Sequence, residues 1–338
     1  MGGELGLSEM IGGAVAAVRE DGAHVQLVGR TSEIEPELAK QGGPNDHIVI
    51  VDAPDVIAMD DAPVTAAKGK PGSSIVVGLS LVRSGEAQGF VSPGNSGAIM
   101  AAALFRLGRI RGVERPALAT VFPTLTGYCL LVDVGANVDC KPEQLVQFGI
   151  MGATYSERVL KIPNPRVGLL SNGEESSKGN TLIRETHPLL AVSGVRFVGN
   201  VEGKDLHQHA ADVIVMDGFT GNVVLKLAEG LGSFMKQMIR EEARRDLMGT
   251  LGGLLLRPAF KRLGRRVDYD EYGGAPLLGV EGVCIISHGR SNAKAIRSAV
   301  RVAKQAAETG LTDAIRQGIQ ANLARPAATP VIGLPQPG

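Results

Sequence analysis

Tryptophan is absent from the 338-residue chain, and only four tyrosines and three cysteines occur. Cys129, Cys140 and Cys284 are an odd set without a CxxC spacing, which argues against a disulfide framework or structural zinc and for a reduced, cytoplasmic chain. Charge of one sign is missing too. Lys and Arg number 35 and Asp and Glu 35, so no global field favours nucleic acid as a partner. No run of about 18 apolar residues exists, and the first residues lack the basic-then-apolar layout of a signal peptide. Neither GxxxxGK[ST] nor GxGxxG follows an apolar run, which removes the main support for P-loop and dinucleotide readings. The six histidines show no metal spacing, and His207 and His209 read as part of a surface turn.

What is present is 45 glycines in a chain that is 44% apolar, enough for a large core with many tight turns. Short apolar runs read as buried strands at His24–Val28, Ile48–Asp52, Gly89–Ser92, Leu130–Val134, Val167–Leu170, Arg196–Val198, Val213–Met216 and Val283–Ser287. Several end in Gly, Asn or Asp and lead into a helical pattern. Strand, polar glycine loop and helix in repetition predict an α/β fold, a parallel or mixed sheet with helices on both faces. Residues 1–321 read as one catalytic domain of this kind, and 322–338, with four prolines, as a flexible tail. The start is unusual, because a helical pattern around Met10 to Val18 comes before any strand. The expectation is that a first strand is missing, by absence or through a misplaced start.

Ligands of such sheets bind beyond the carboxyl ends of the strands, so the loops there carry the chemistry. In Ser92-Pro93-Gly94-Asn95-Ser96-Gly97 the glycines let an anion approach the backbone, and the first N–H groups of the following helix favour a phosphate-sized anion. An ordinary Asn cap is the alternative. The loop from Asp133 to Pro142 holds Asn137, Cys140 and Lys141, and Cys140 is either an acyl-accepting nucleophile or a structural thiol. Lys178 in 171–180, Lys204 in 199–205, and Asp217 with Asn222 complete five loops expected on one side of one sheet. The candidate phosphate ligands are therefore Gly94, Asn95, Ser96, Gly97 and Asn137. Lys204, Lys178, Asp217 and Asn222 are the candidate catalytic groups. Asn95→Ala is expected to raise the phosphate requirement sharply.

From residue 233 to 266 the chain turns basic and greasy, with nine Lys or Arg against three Asp or Glu. Leu254, Leu255, Phe260, Lys261 and Arg262 lie in a stretch suited to an anionic bilayer surface or to packing on the body or a second subunit.

These motifs together resemble the bacterial phosphate acyltransferases of phospholipid synthesis, the PlsX family. The family pattern VSAGNTGALMA stands here as Val91 to Ala101, and LLDVGANVDCKPEHLVQFA as Leu130 to Gly149. The GEExSKGN, GNVEG, DGFTGN, DYxEYGGAPLLGV and HGxSNAKAI elements stand at Gly173–Asn180, Gly199–Gly203, Asp217–Asn222, Asp268–Val280 and His288–Ile296. Met59 to Ser74 fits MxDxPxxAxRxKxxSS, and the likeness runs from about Val51 to Gln305. The departures are few: Pro93 for Ala, Ser96 for Thr, Ser171-Asn172 for Asn-Ile, Arg290 for a small residue. The family opens with a strand leading into DAMGGD, of which only Met1-Gly2-Gly3 remains.

The resemblance implies a fold similar to phosphotransacetylase and the isocitrate dehydrogenase group, and a homodimer held peripherally at the inner face of the membrane. It implies transfer of a long-chain acyl group from acyl-acyl carrier protein to inorganic phosphate, without cofactor or metal. The acyl phosphate then feeds a glycerol-3-phosphate acyltransferase. A CoA-dependent phosphate acyltransferase and a catalytically silent, carrier-binding dimer are the competing readings.

Overall fold

The computed structural model describes residues 5–266 and 273–325, with the side chains of 265 and 266 excepted. The Met1-to-Glu4 start, residues 268–272 of the tyrosine-rich element and residues 326–338 of the tail lie outside them. Ten strands are described: β1 (Val25–Gly29), β2 (Ile48–Asp52), β3 (Gly89–Ser92), β4 (Ala117–Thr124), β5 (Gly127–Val132), β6 (Arg166–Ser171), β7 (Arg196–Glu202), β8 (Val213–Val215), β9 (Ala275–Leu278) and β10 (Val283–Ile286). All eight expected runs are strands. The two that escaped are β4 and β9. β4 carries Pro123, which demotes a run read for strand character, and β9 is four residues behind two glycines.

Helices are α1 (Leu7–Asp21), α2 (Thr31–Lys40), α3 (Pro63–Gly69), α4 (Ser74–Ser84), α5 (Ser96–Arg106), α6 (Pro142–Arg158), α7 (Thr181–Val192), α8 (Gly218–Ala243), α9 (Leu247–Arg266), α10 (Ala293–Glu308) and α11 (Leu311–Leu323). A 3-10 turn, Gly203–Gln208, follows β7. Four helix starts share one cap. Asn95, Asn180, Asp217 and Asn292 each accept a hydrogen bond from the backbone N–H three residues on, at 2.8 to 3.0 Å. Each cap satisfies a donor that would otherwise be orphaned and is worth about 1 kcal/mol.

The eight-stranded sheet runs β3-β10-β9-β4-β5-β8-β6-β7, and β1 and β2 form a separate parallel pair. Alternate residues of each central strand point to opposite faces. Leu130 and Val132 of β5 with Val213 and Val215 of β8 meet the buried faces of α6, α7, α10 and α11. Cys129, Leu131, Ile214 and Met216 face the other way, where Val224 and Leu225 of α8 pack on them. Farther along that second face α4 and α5 cover Phe90, Cys284 and Ile286. The result is three layers, helices on both faces of a mixed sheet.

Direction along the sheet changes half-way. β3 and β10 are parallel, β9 is antiparallel to both β10 and β4, and β4 forms an antiparallel hairpin with β5. β5, β8, β6 and β7 are then parallel to one another. It follows that β5 to β8 run opposite to β3, and the loops after them lie at the opposite end of the sheet from loop 92–97. The expectation that all five polar loops gather on one side is corrected here. The hairpin and β9, the very strands with weak sequence signals, reverse the direction.

Among the described residues β1 pairs with β2 and β3 with β10, and a cleft of about 660 Å³ lies between the two edges. Ile11 of α1, Leu27, Phe90, Val91 and Ile296 line it, and none of the loops after β5 to β8 reaches it. α1 borders this cleft and is fastened to α10 by Asp21, whose carboxylate takes two bonds from Arg297 at 2.8 and 3.1 Å.

The basic excursion proves to be the second half of α8 and the whole of α9. At 26 residues α8 is about 39 Å long. Beyond Leu225 its apolar residues Leu227, Leu231, Phe234 and Met238 are exposed, as are Leu254, Leu255 and Phe260 of α9. Lys261 and Arg262 are exposed beside them. No described helix is long and apolar enough to cross a membrane.

Candidate active site

Adjacent parallel strands β5 and β8 send their helices to opposite faces, α6 to one and α8 to the other. The carboxyl ends of strands whose helices diverge in this way are the place where open α/β sheets bind ligands. β6 stands next to β8, and β7 next to β6, so loops 133–141, 217–222 and 172–180 and the Gly203–Lys204 start of the turn after β7 leave the same ends of four parallel strands, while His207 at the end of that turn reaches back to Leu125 of the β4–β5 hairpin. Four of the five expected loops are thereby brought together.

The floor is Asp133, fully buried behind a cis Val132–Asp133 peptide. Its Oδ1 accepts hydrogen bonds from the N–H groups of Leu118, Gly135 and Ala136 at 3.0 to 3.1 Å. Its Oδ2 accepts from the N–H and the side-chain amide of Asn137, both at 2.8 Å. Burial pushes the Asp133 carboxyl up from the ordinary range, while these donors pull it down. A buried carboxylate without such donors would be prohibitive.

Asn137 spends its amide inside the protein, donating to Asp133 and to the carbonyl of Pro116 at 2.8 Å. Its own carbonyl accepts from the N–H of Gly218, 2.7 Å away, and ties the loop to the start of α8. Asp217 is also committed, since its two oxygens take the N–H and the hydroxyl of Thr220 at 2.8 Å. Lys204 is exposed and paired with Glu202 at 3.0 Å, and that bond raises its pKa. Cys140 is half-buried, with its thiol against the Asn137 carbonyl. Burial, with Asp133 and Asp217 adding to it, pushes the thiol up to about 11, far from the thiolate a nucleophile requires.

Two candidates remain unspent among the described residues. Asn222, one turn into α8, is exposed and faces Gly135, whose missing Cβ would come 3.7 Å from it. Lys178 is exposed at the end of the β6 loop, draped over Gly173, and makes no ion pair there.

Loop 92–97 is a different structure at the other end. Asn95 caps α5 and donates from its side-chain nitrogen to the carbonyls of Ala58, Met59 and Asp61 at 3.0 to 3.3 Å. Gly94 donates to the Ser92 hydroxyl, and Gly97 lies against Pro63. Gly94, Asn95, Ser96 and Gly97 thus follow a strand that runs opposite to those before Asn137 and Asn222. Asp133, by contrast, stood in the sequence only as a strand end. Its role was hidden because an acidic residue is ordinarily exposed.

A family model described as FA_synthesis, a fatty acid synthesis protein, matches residues 1–314. The phosphate acyltransferase of Heliobacterium modesticaldum is 50% identical over 320 residues, 94% of this chain and 96% of the relative. That of Geotalea uraniireducens is 49% identical over 322 residues, 95% and 93% of the two chains.

The chain belongs to the phosphate acyltransferase (PlsX) family.

It is accordingly an acyltransferase. Its fold is similar to a phosphotransacetylase from Streptococcus pyogenes, with a TM-score of 0.61 over 89% of this chain and 91% of that one at 18% identity. A branched-chain phosphotransacylase from Enterococcus faecalis gives 0.54 over 90% and 96% at 15% identity. At that identity the likeness speaks for the fold alone.

Proposed function

We propose that this chain transfers the acyl group of a long-chain acyl-acyl carrier protein to inorganic phosphate, and that it does so beyond the carboxyl ends of β5 and β8. The observation that carries the reading is the division of polar groups there. Asp133, Asn137, Asp217 and Lys204 are bonded within the protein, whereas Lys178 and Asn222 are left to face a ligand.

A phosphate oxygen attacks the thioester carbonyl carbon, a C–O bond forms, and the carbonyl oxygen takes up the electron pair. Collapse of that oxyanion breaks the C–S bond and expels the carrier's thiolate. The ammonium of Lys178 offsets phosphate charge, and the Asn222 amide donates to phosphate or to the developing oxyanion. Direct attack is favoured over an acyl-Cys140 intermediate because the buried thiol stays protonated. The product is an acyl phosphate, a reactive mixed anhydride that a glycerol-3-phosphate acyltransferase at the membrane would consume.

Purified protein given phosphate and either long-chain acyl-carrier protein or acyl-CoA tests the reading. Acyl phosphate should form faster from the carrier-bound donor, and Cys140→Ser should retain activity within a few-fold. Preference for acyl-CoA would favour the CoA-dependent alternative, and loss of several orders of magnitude in a folded Cys140→Ser protein would restore the covalent route.

The reading includes a homodimer attached to the inner face of the membrane. The exposed apolar residues of α8 offer a surface to a second copy, and Leu254, Leu255 and Phe260 beside Lys261 and Arg262 suit an anionic bilayer. Sedimentation with anionic vesicles should carry the protein down at low salt and release it at high salt. Failure to bind at low salt would make α9 a protein-contact surface instead.

A further inference from the structure

We infer that Asp133 is the positioning residue of the site: its carboxylate sets the place of Asn222 without touching substrate. The inference rests on the proposed role of Asn222.

Three links run from one to the other. The carboxylate gathers the N–H groups of Gly135, Ala136 and Asn137 into a single tight turn. The turn presents the Asn137 carbonyl to the Gly218 N–H, which fixes the first residue of α8. One turn along the helix, Gly221 rides directly on the Asp133 carbonyl oxygen, so close that a Cβ there would sit 1.8 Å from it. Asn222 is the next residue, facing Gly135 of the same turn. Both ends of Asp133, carboxylate and carbonyl, thus press on the turn of α8 that carries Asn222.

Asn in place of Asp133 keeps the shape but turns an amide NH2 toward N–H donors, so one of the two carboxylate positions becomes a repulsion. The α8 start then shifts, and an error near 1 Å in a positioned group costs about 100-fold in rate.

The test is a double-mutant cycle on kcat/KM for phosphate with Asp133→Asn and Asn222→Ala, with thermal midpoints recorded for each protein. Asp133→Asn alone should lose about 100-fold. On the Asn222→Ala background the further loss should be under threefold, since the group being positioned is already gone. A merely structural role would lower activity by the same factor on both backgrounds, and equal factors would overturn the inference, as would unchanged kinetics in Asp133→Asn. Should Asp133→Asn fail to fold, Asn137→Ala, which removes one donor from the same carboxylate, takes its place in the cycle with about a tenfold loss expected. If Asn222→Ala alone is fully active, the failure belongs to the reading of the site; if it is impaired and the effects multiply, the failure belongs to Asp133.

Discussion

Asn222→Ala and Lys178→Ala should each lower kcat/KM for phosphate by about 10²- to 10³-fold, with the fold intact. Both side chains are exposed and bonded to nothing else among the described residues, so their removal leaves no buried partner stranded. Stability should therefore stay within about 0.5 kcal/mol of the parent, as for other surface changes. The kinetic loss follows from the chemistry. Loss of one preorganised donor at a developing oxyanion costs about 2.7–4 kcal/mol, and the Lys178 ammonium offsets the charge of the bound phosphate. Asn95→Ala is the contrast. It removes the cap of α5 and three bonds to residues 58–61, so it should cost 1 kcal/mol or more in stability while leaving the phosphate KM nearly unchanged. Steady-state kinetics beside chemical denaturation would read both axes. Should Asn95→Ala raise the phosphate KM while Asn222→Ala does not, the site lies at the other end of the sheet.

Gly221→Ala carries the largest effect on stability. Helix propensity alone argues the other way, because Ala in a helix interior is worth about 1 kcal/mol over Gly. Geometry decides the sign. The new methyl would stand 1.8 Å from the Asp133 carbonyl oxygen and 3.1 Å from the Val134 Cα, both backbone atoms that cannot swing aside. Overpacking of this kind costs about 1–3 kcal/mol and sometimes more, and here it also displaces the helix that bears Asn222. We expect a net loss of at least 2 kcal/mol and a fall in activity of about 100-fold. Gly230, on the same helix, has nothing within 4 Å of its would-be Cβ. Gly230→Ala should stabilise by up to about 1 kcal/mol. Urea denaturation of the two variants separates the accounts. Equal shifts in the same direction would mean that α8 does not ride on Asp133 as described.

Much of this was legible in the sequence. A buried parallel strand is a short apolar run, and an Asn or Asp cap follows at α5, α7, α8 and α10, so His24–Val28 through Val283–Ser287 could be read directly. The relative direction of the two halves could not. It depends on β4 and β9, where Pro123 and a four-residue length dilute the strand pattern, and reversing direction there moves loop 92–97 to the far end. The roles of the asparagines were equally hidden. Asn95 and Asn222 each follow a glycine directly, and Asn137 stands two residues after one. What separates them is their partners: the distant carbonyls of Ala58, Met59 and Asp61 for Asn95, Pro116 and the nearby Asp133 for Asn137, and no protein partner among the described residues for Asn222.

The central claim is that phosphate binds between the loops after β5, β6 and β8. A crystal structure of the protein soaked with phosphate, or with arsenate for its stronger scattering, tests it most directly. An anion is expected within hydrogen-bonding distance of Lys178 Nζ and Asn222 Nδ2, with Asp133 and Asn137 unmoved beneath it. An anion seated instead on Ser96 and Gly97 at the start of α5, with none at Lys178 and Asn222, would place the phosphate site after β3 and overturn the assignment to β5, β6 and β8.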